Sequence, residues 1–160
     1  MTIPAVGDKA PDFDLTLDSG ERFRLSKHKG KPVVLYFYSE DGTEGCTIQN
    51  QEFTAELPEF ENLGVVVIGI SPDTVEKHCK FRDKFALKVP LAADPDLKAA
   101  NAYGVWQQKK LYGREYMGIV RTSFLIDPKG KIAAVWPVRR IKGHAAVVLD
   151  AVKSLYAPSP

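Results

Sequence analysis

The stretch KPVVLYFYSEDGTEGCTIQNQEFTAELPEFENLGVVVIGI (31–70) decides how this chain folds. It opens and closes on apolar runs, VVLYFY (33–38) and VVVIGI (65–70), rich in β-branched and aromatic residues and without polar alternation. Runs of this kind read as strands buried on both faces. Between them Phe53, Leu57, Phe60 and Leu63 recur at helical spacing. A strand, a crossover helix and a second strand give a parallel pair.

Working outward, FDLTLDSGERFRL (13–25) alternates apolar and polar residues on either side of Asp18-Ser19-Gly20, which predicts a hairpin. Ser71-Pro72-Asp73 predicts a helix start, with Ser71 as cap and Pro72 in the first turn; the helix runs through Val75, Cys79, Phe81 and Phe85. A shorter helix is expected after Asp94-Pro95, with Leu97, Ala100 and Tyr103 inward. SFLIDPKGKIAAVW (123–136) reads as a hairpin around Asp127-Pro128-Lys129-Gly130, and the closing helix runs from about His144 to Leu155. The Pro- and Asp-rich opening segment is expected to wrap this body. The fold class is therefore α/β: a central mixed sheet flanked by helices, with an N-terminal β-hairpin, in one domain over 1–160.

The composition excludes several partners. There are 22 basic and 20 acidic residues, so the formal charge is only +2 and makes no case for nucleic acid or a membrane surface. The basic group Arg139, Arg140 and Lys142, with Lys129 and Lys131, reads as solvated surface. The N-terminus carries no secretory pattern and no apolar run approaches a membrane span, so the expected location is cytoplasmic. In a reducing compartment Cys46 and Cys79 are not expected to form a permanent disulfide. These two cysteines and His28, His78 and His144 show no zinc spacing, so neither a metal nor a cofactor is expected.

The chemistry gathers at Cys46. A buried strand ends near Tyr38 or Ser39, a polar turn with two glycines follows, and Cys46 falls in the first turn of the next helix. The N–H groups of that turn lack intrahelical partners and, with the helix dipole, stabilise an anion. The thiolate is the nucleophile, and an unperturbed thiol of pKa ~8.5 is only a few per cent ionised at neutral pH. A pKa lower by ~2 leaves most of it ionised. The competing reading is a small buried packing residue; the polar, Gly-rich turn, expected to be exposed, argues against it.

YFYSEDGTEGCTIQNQEF (36–53) resembles the active-site loop of peroxiredoxins, a proline, three residues, threonine, two residues, cysteine. GDKAPDFDL, GKPVVLYFY, GISPDTVEKH, AYGVWQQKKLYGREYMGI, RTSFLIDPKGKI and KGH extend the resemblance over nearly the whole chain, to the bacterioferritin comigratory protein or Q-type branch. The resemblance implies a thioredoxin-like fold and reduction of hydrogen peroxide and organic hydroperoxides, with thioredoxin or a similar dithiol as reductant and a monomeric state. By motif, Cys46 matches the peroxidatic cysteine, Thr43 the threonine that contacts peroxide and thiolate, and Arg121 the distant arginine that meets the thiol in space. Arg keeps its charge and offers a fixed fork of donors, suited to a thiolate and to charge developing as the O–O bond breaks.

The chain departs from the pattern at three places. Ser39 replaces the motif proline, which implies a looser loop because Ser does not fix the backbone. Gln49 replaces a glutamate usual to the branch. Gln51 stands where many members carry the thiol that resolves the sulfenic acid. Other members carry it one helix further on, near Arg82 here. Cys79 lies one turn before that position and shares its helix face. Resolution by Cys79 and a packing role for it stay open. A disulfide to Cys46 needs Cα atoms within ~7 Å, hence local unwinding. His78 and His144 read as helix-surface or capping residues. Trp106, Tyr112 and Tyr116 read as core, with the peroxide pocket as alternative. A thiol–disulfide oxidoreductase is disfavoured because position 43 is Thr and not Cys. A redox-sensing or holdase-type protein using the same thiol is the second reading.

Overall fold

The computed structural model describes residues 2–156. Its main sheet has seven strands: β1 (Asp14–Leu17), β2 (Arg22–Arg24), β3 (Val33–Phe37), β4 (Val66–Ser71), β5 (Leu91–Ala93), β8 (Thr122–Ile126) and β9 (Ile132–Pro137), in the order β2-β1-β5-β4-β3-β8-β9. β3, β4 and β5 run parallel, while β8, β9, β1 and β2 pair antiparallel. The central parallel pair and both hairpins match the sequence reading.

Successive side chains of a strand point to opposite faces, and β3 is buried throughout. Val33, Leu35 and Phe37 enter one core cluster, and Val34, Tyr36 and Tyr38 the other. The second cluster is covered by α1 (Glu44–Asn62), α2 (Val75–Phe85) and α4 (His144–Tyr156), through Phe53, Leu57, Phe60, Phe81, Val148 and Val152. The first is covered by α3 (Lys98–Ala102) and the opening segment, through Ala99, Ala100, Tyr103, Ala10 and Phe13. That segment bridges Lys9 to Lys131 at the β9 edge and then crosses to β1, so it does wrap the sheet. Burying each large apolar side chain contributes roughly 1.5–3 kcal/mol.

Two local expectations are corrected. The cap of α2 is Thr74, whose Oγ1 accepts from Lys77 N at 3.3 Å. Ser71 instead ends β4 and donates to Asp73 at 2.6 Å, because the strand continues one residue further than its apolar run. The segment 106–119 forms a separate hairpin, β6 (Trp106–Leu111) and β7 (Arg114–Ile119). Its turn residues Tyr112 and Gly113 both have positive φ, as a two-residue hairpin turn of this hand demands. Tyr112 is 94% exposed and Tyr116 is also exposed, so neither packs in the core; Trp106 packs partly against it.

No helix among the described residues is long and apolar enough to cross a membrane.

Candidate active site

Thr43 adopts the extended conformation of a helix N-cap, which makes Cys46 the third residue of α1. The sulfur therefore lies among the unpaired N–H groups of the first turn. That turn is held from below. Tyr36 Oη donates to Asn50 Oδ1 at 2.5 Å, and Asn50 Nδ2 donates to the Cys46 carbonyl at 2.9 Å. The Tyr36 ring fits only because residue 69 is glycine: a Cβ there would lie 2.7 Å from it.

The loop before α1 is pinned by a buried polar knot. Asp41 accepts from Tyr38 Oη at 2.6 Å and pairs with His78 Nδ1 at 2.6 Å, and its N–H donates to Asp73 at 2.8 Å. His78 Nε2 lies 3.1 Å from the Ala92 carbonyl, so its Nε2–H donates to the backbone. Lys77 bridges Asp73 and Glu40, both at 2.9 Å. His78 is completely buried, not on the helix surface; it faces the sheet because the adjacent residues of the helix, Lys77 and Cys79, take the flanks. Asp41, Asp73 and His78 could together offer three ligand atoms to a cation. Each of those side chains already has protein hydrogen-bond partners, so the group is built as a hydrogen-bond knot.

Cys46 is fully buried, although the turn beside it (Ser39, Glu40, Gly42, Thr43) is exposed as expected. The burial is not apolar alone. Arg121 Nη2 donates to Sγ at 3.2 Å, and Ser39 Oγ lies 3.4 Å from it. Burial by itself pushes the thiol up. The Ser39 and Thr43 hydroxyls and the Glu40 N–H beside the sulfur, with the charge of Arg121, outweigh that and hold it below its ordinary value. In this geometry the Thr43 hydroxyl donates to the Glu40 carbonyl at 3.2 Å.

The site thus draws together Thr43, Cys46 and Arg121 from α1 and the start of β8. It leaves Cys79 outside. Cys79 Sγ donates to the Asp18 carbonyl at 3.1 Å, and Arg82, on the same helix face, pairs with the Asp18 carboxylate at 3.1 Å. Asp18 bonds Leu91 of β5, which lies two strands from β3.

Four neighbours were not legible as site residues. Gln49 accepts from Arg121 Nη1. Ile141 lies against Gly45, where a Cβ would come within 2.8 Å of it. Ser39, read only as a lost proline, supplies a hydroxyl to the sulfur. His144, read as capping or surface, is buried and bonds Ser123 at 2.8 Å, its imidazole pushed down by burial and by the Arg121 charge. Only the Gln49 spacing of three residues from Cys46, one helical turn, could have flagged its side chain for this face.

The family model described as AhpC/TSA matches residues 6–135. The peroxiredoxin Bcp of Bacillus subtilis is 45% identical over 155 residues, 97% of this chain and 98% of that one. The peroxiredoxin Bcp of Xanthomonas campestris is 38% identical over 143 residues, 89% of each chain. Among solved structures, Xanthomonas campestris peroxiredoxin Q superposes with a TM-score of 0.88 at 35% identity, covering 94% of this chain and 98% of that one. A second structure of the Xanthomonas campestris bacterioferritin comigratory protein, concerned with its alkyl peroxide reduction activity, gives 0.87 at the same identity. A thioredoxin-like α/β fold, a cysteine at a helix start and these relatives converge: the chain belongs to the AhpC/TSA family, on its bacterioferritin comigratory protein or Q-type peroxiredoxin branch.

Proposed function

We propose that Cys46 is the peroxide-attacking thiol of this peroxiredoxin, that Arg121 and Thr43 serve it, and that an external thiol, not Cys79, resolves it. The chain is a thiol-dependent peroxidase that turns hydrogen peroxide and organic hydroperoxides into water and alcohols. The observation that carries the assignment to Cys46 is the Arg121 donor 3.2 Å from its sulfur, in a first helical turn that also favours the anion.

The thiolate attacks the terminal peroxide oxygen. The S–O bond forms as the O–O bond breaks, sulfur is oxidised to the sulfenic acid, and the departing oxygen takes one proton to leave as water or alcohol. Arg121 steadies the thiolate before attack and the charge on the oxygens during it. Thr43, free to turn its hydroxyl from the Glu40 carbonyl, orients the peroxide. The sulfenic acid then condenses with a thiol, releasing water and forming a mixed disulfide. A second thiol of the same reductant displaces Cys46, which leaves an oxidised dithiol and the starting enzyme. Thioredoxin or a comparable dithiol fits this role. Cys79 is held on the Asp18 carbonyl, which supports the external route. The chain is read as a single-domain, cytoplasmic monomer that needs neither nucleic acid nor membrane. Cys46→Ser abolishes peroxide consumption on this reading; full turnover in that variant removes Cys46 from the mechanism.

A further inference from the structure

The main sheet carries a second concave site, at the end remote from the thiol. Val33 opens β3 and pairs with Ile126, which closes β8, whereas Cys46 follows the far end of β3 and Arg121 precedes β8. Beside Val33 and Ile126 lies a cavity of about 110 Å³, several times the space that one water needs. Leu25, Val33 and Ile126 supply its apolar wall. The segments around it are tied together. Ala10 N donates to the Gly130 carbonyl at 2.9 Å, and Gly30 N donates to the Pro128 carbonyl at 2.8 Å.

The polar part of the lining is cationic. Lys9, Lys29, Lys31 and Lys129 all contribute to it, with His28. Lys129, read from the sequence as solvated surface, is thus joined by three lysines from other segments. Lys29 reaches across to the turn after β8: a Cβ on Gly130 would lie 3.5 Å from Lys29 Cε. None of the four lysines pairs with a carboxylate among the described residues. The two acids of the lining, Asp12 and Asp127, are engaged elsewhere. Asp12 accepts from Phe13 N at 3.0 Å and Ser26 N at 2.9 Å, and it faces Arg24 at 3.6 Å. Asp127 accepts from Lys129 N and Lys131 N, both at 2.9 Å. The field in the cavity is therefore positive. His28, stacked on Phe23 at 4.4 Å between ring centroids, feels it: burial and the charge of Lys31 push its imidazole down.

A concavity with an apolar wall and charges of one sign focuses its field on a ligand of the other sign. Lysines hold phosphate as point charges from several directions, whereas a planar carboxylate is better met by an arginine fork. We propose that this cavity binds the phosphoryl group of a small anion, an inorganic phosphate chain or a nucleotide, between Lys9, Lys29, Lys31 and Lys129. The site stands apart from the thiol chemistry and does not depend on the role of Cys46.

The test is titration calorimetry with inorganic pyrophosphate and, separately, with adenosine diphosphate, both at fixed ionic strength. One saturable site per chain is expected, with a thermal midpoint that climbs as the probe concentration rises. Replacing two ammonium groups together, Lys29→Gln with Lys129→Gln, raises Kd for both probes about tenfold or more. Peroxide turnover is the same in that variant as in the unsubstituted chain. Tighter binding of the diphosphate nucleotide than of pyrophosphate assigns a nucleotide as the ligand, and the reverse order assigns free phosphate chains. If the double variant does not fold, Lys9→Gln is read in its place and weakens both probes severalfold. Absence of saturable binding for both probes, or an unchanged Kd in the folded variant, overturns the proposal.

Discussion

Arg121 and Cys46 are 75 residues apart in the chain, and Nη2 of one lies 3.2 Å from Sγ of the other. The pairing ties the start of β8 to the first turn of α1. It sets the sign of the pH response. The folded thiol lies below its ordinary value, so it contributes stability that is present above the unfolded value and lost as pH falls through the folded one. The peroxide rate follows the same thiolate: flat above the folded value and about tenfold lower per pH unit below it. Arg121→Gln moves this inflection to higher pH and lowers the rate at neutral pH by roughly 10²–10³-fold. An inflection that stays in place would detach the arginine from the thiol.

Ser39 supplies a hydroxyl 3.4 Å from the sulfur. A hydrogen bond of ~1 kcal/mol corresponds to about 0.7 of a pH unit. Ser39→Ala is expected to raise the thiolate titration by about that much and leave the unfolding midpoint nearly unchanged. No movement would reduce Ser39 to a packing residue.

The Asp41–His78 contact pins the active-site loop to α2, with both side chains almost fully buried. Removing one partner of a buried hydrogen bond, which leaves the other unsatisfied, typically costs about 1–3 kcal/mol. Asp41→Ala should lower the stability measured by urea unfolding by that order and slow peroxide turnover together. Full stability with full activity would mean that the loop holds without the knot.

Both cysteines are free, and Cys79 is bonded to the Asp18 carbonyl and not to Cys46. One equivalent of peroxide without reductant is expected to add one oxygen to the intact mass, or to link two chains through Cys46. Cys79→Ser should keep turnover with an added dithiol. Loss of two hydrogens within one chain would restore Cys79 as the resolving residue and require α2 to unwind.

The elements read from local pattern hold: the runs at 33–38 and 65–70, the helix between them and the hairpins at 13–25 and 123–136 match the strands and helices found. Periodicity carries such information because burial alternates at fixed spacing. The hairpin at 106–119 has no such pattern, since its two strands rest on each other outside the main sheet and its outward side chains face no core. His78 and His144 read as surface residues for a related reason: a polar residue on a helix shows its burial only once a partner such as Asp41 or Ser123 is brought beside it.

From the sequence alone came the thiol at a helix start, the α/β architecture and the resemblance that pointed to Thr43 and Arg121. Those are properties of short segments, and a cysteine in the first helical turn after a polar, Gly-rich turn reads the same in any context. The tertiary structure alone decided which groups meet. It put Arg121 between Cys46 and Gln49, buried the sulfur beneath an exposed loop, and held Cys79 on Asp18. Those contacts depend on sheet order and helix facing, which arise from packing across the whole chain and leave no local trace in its letters.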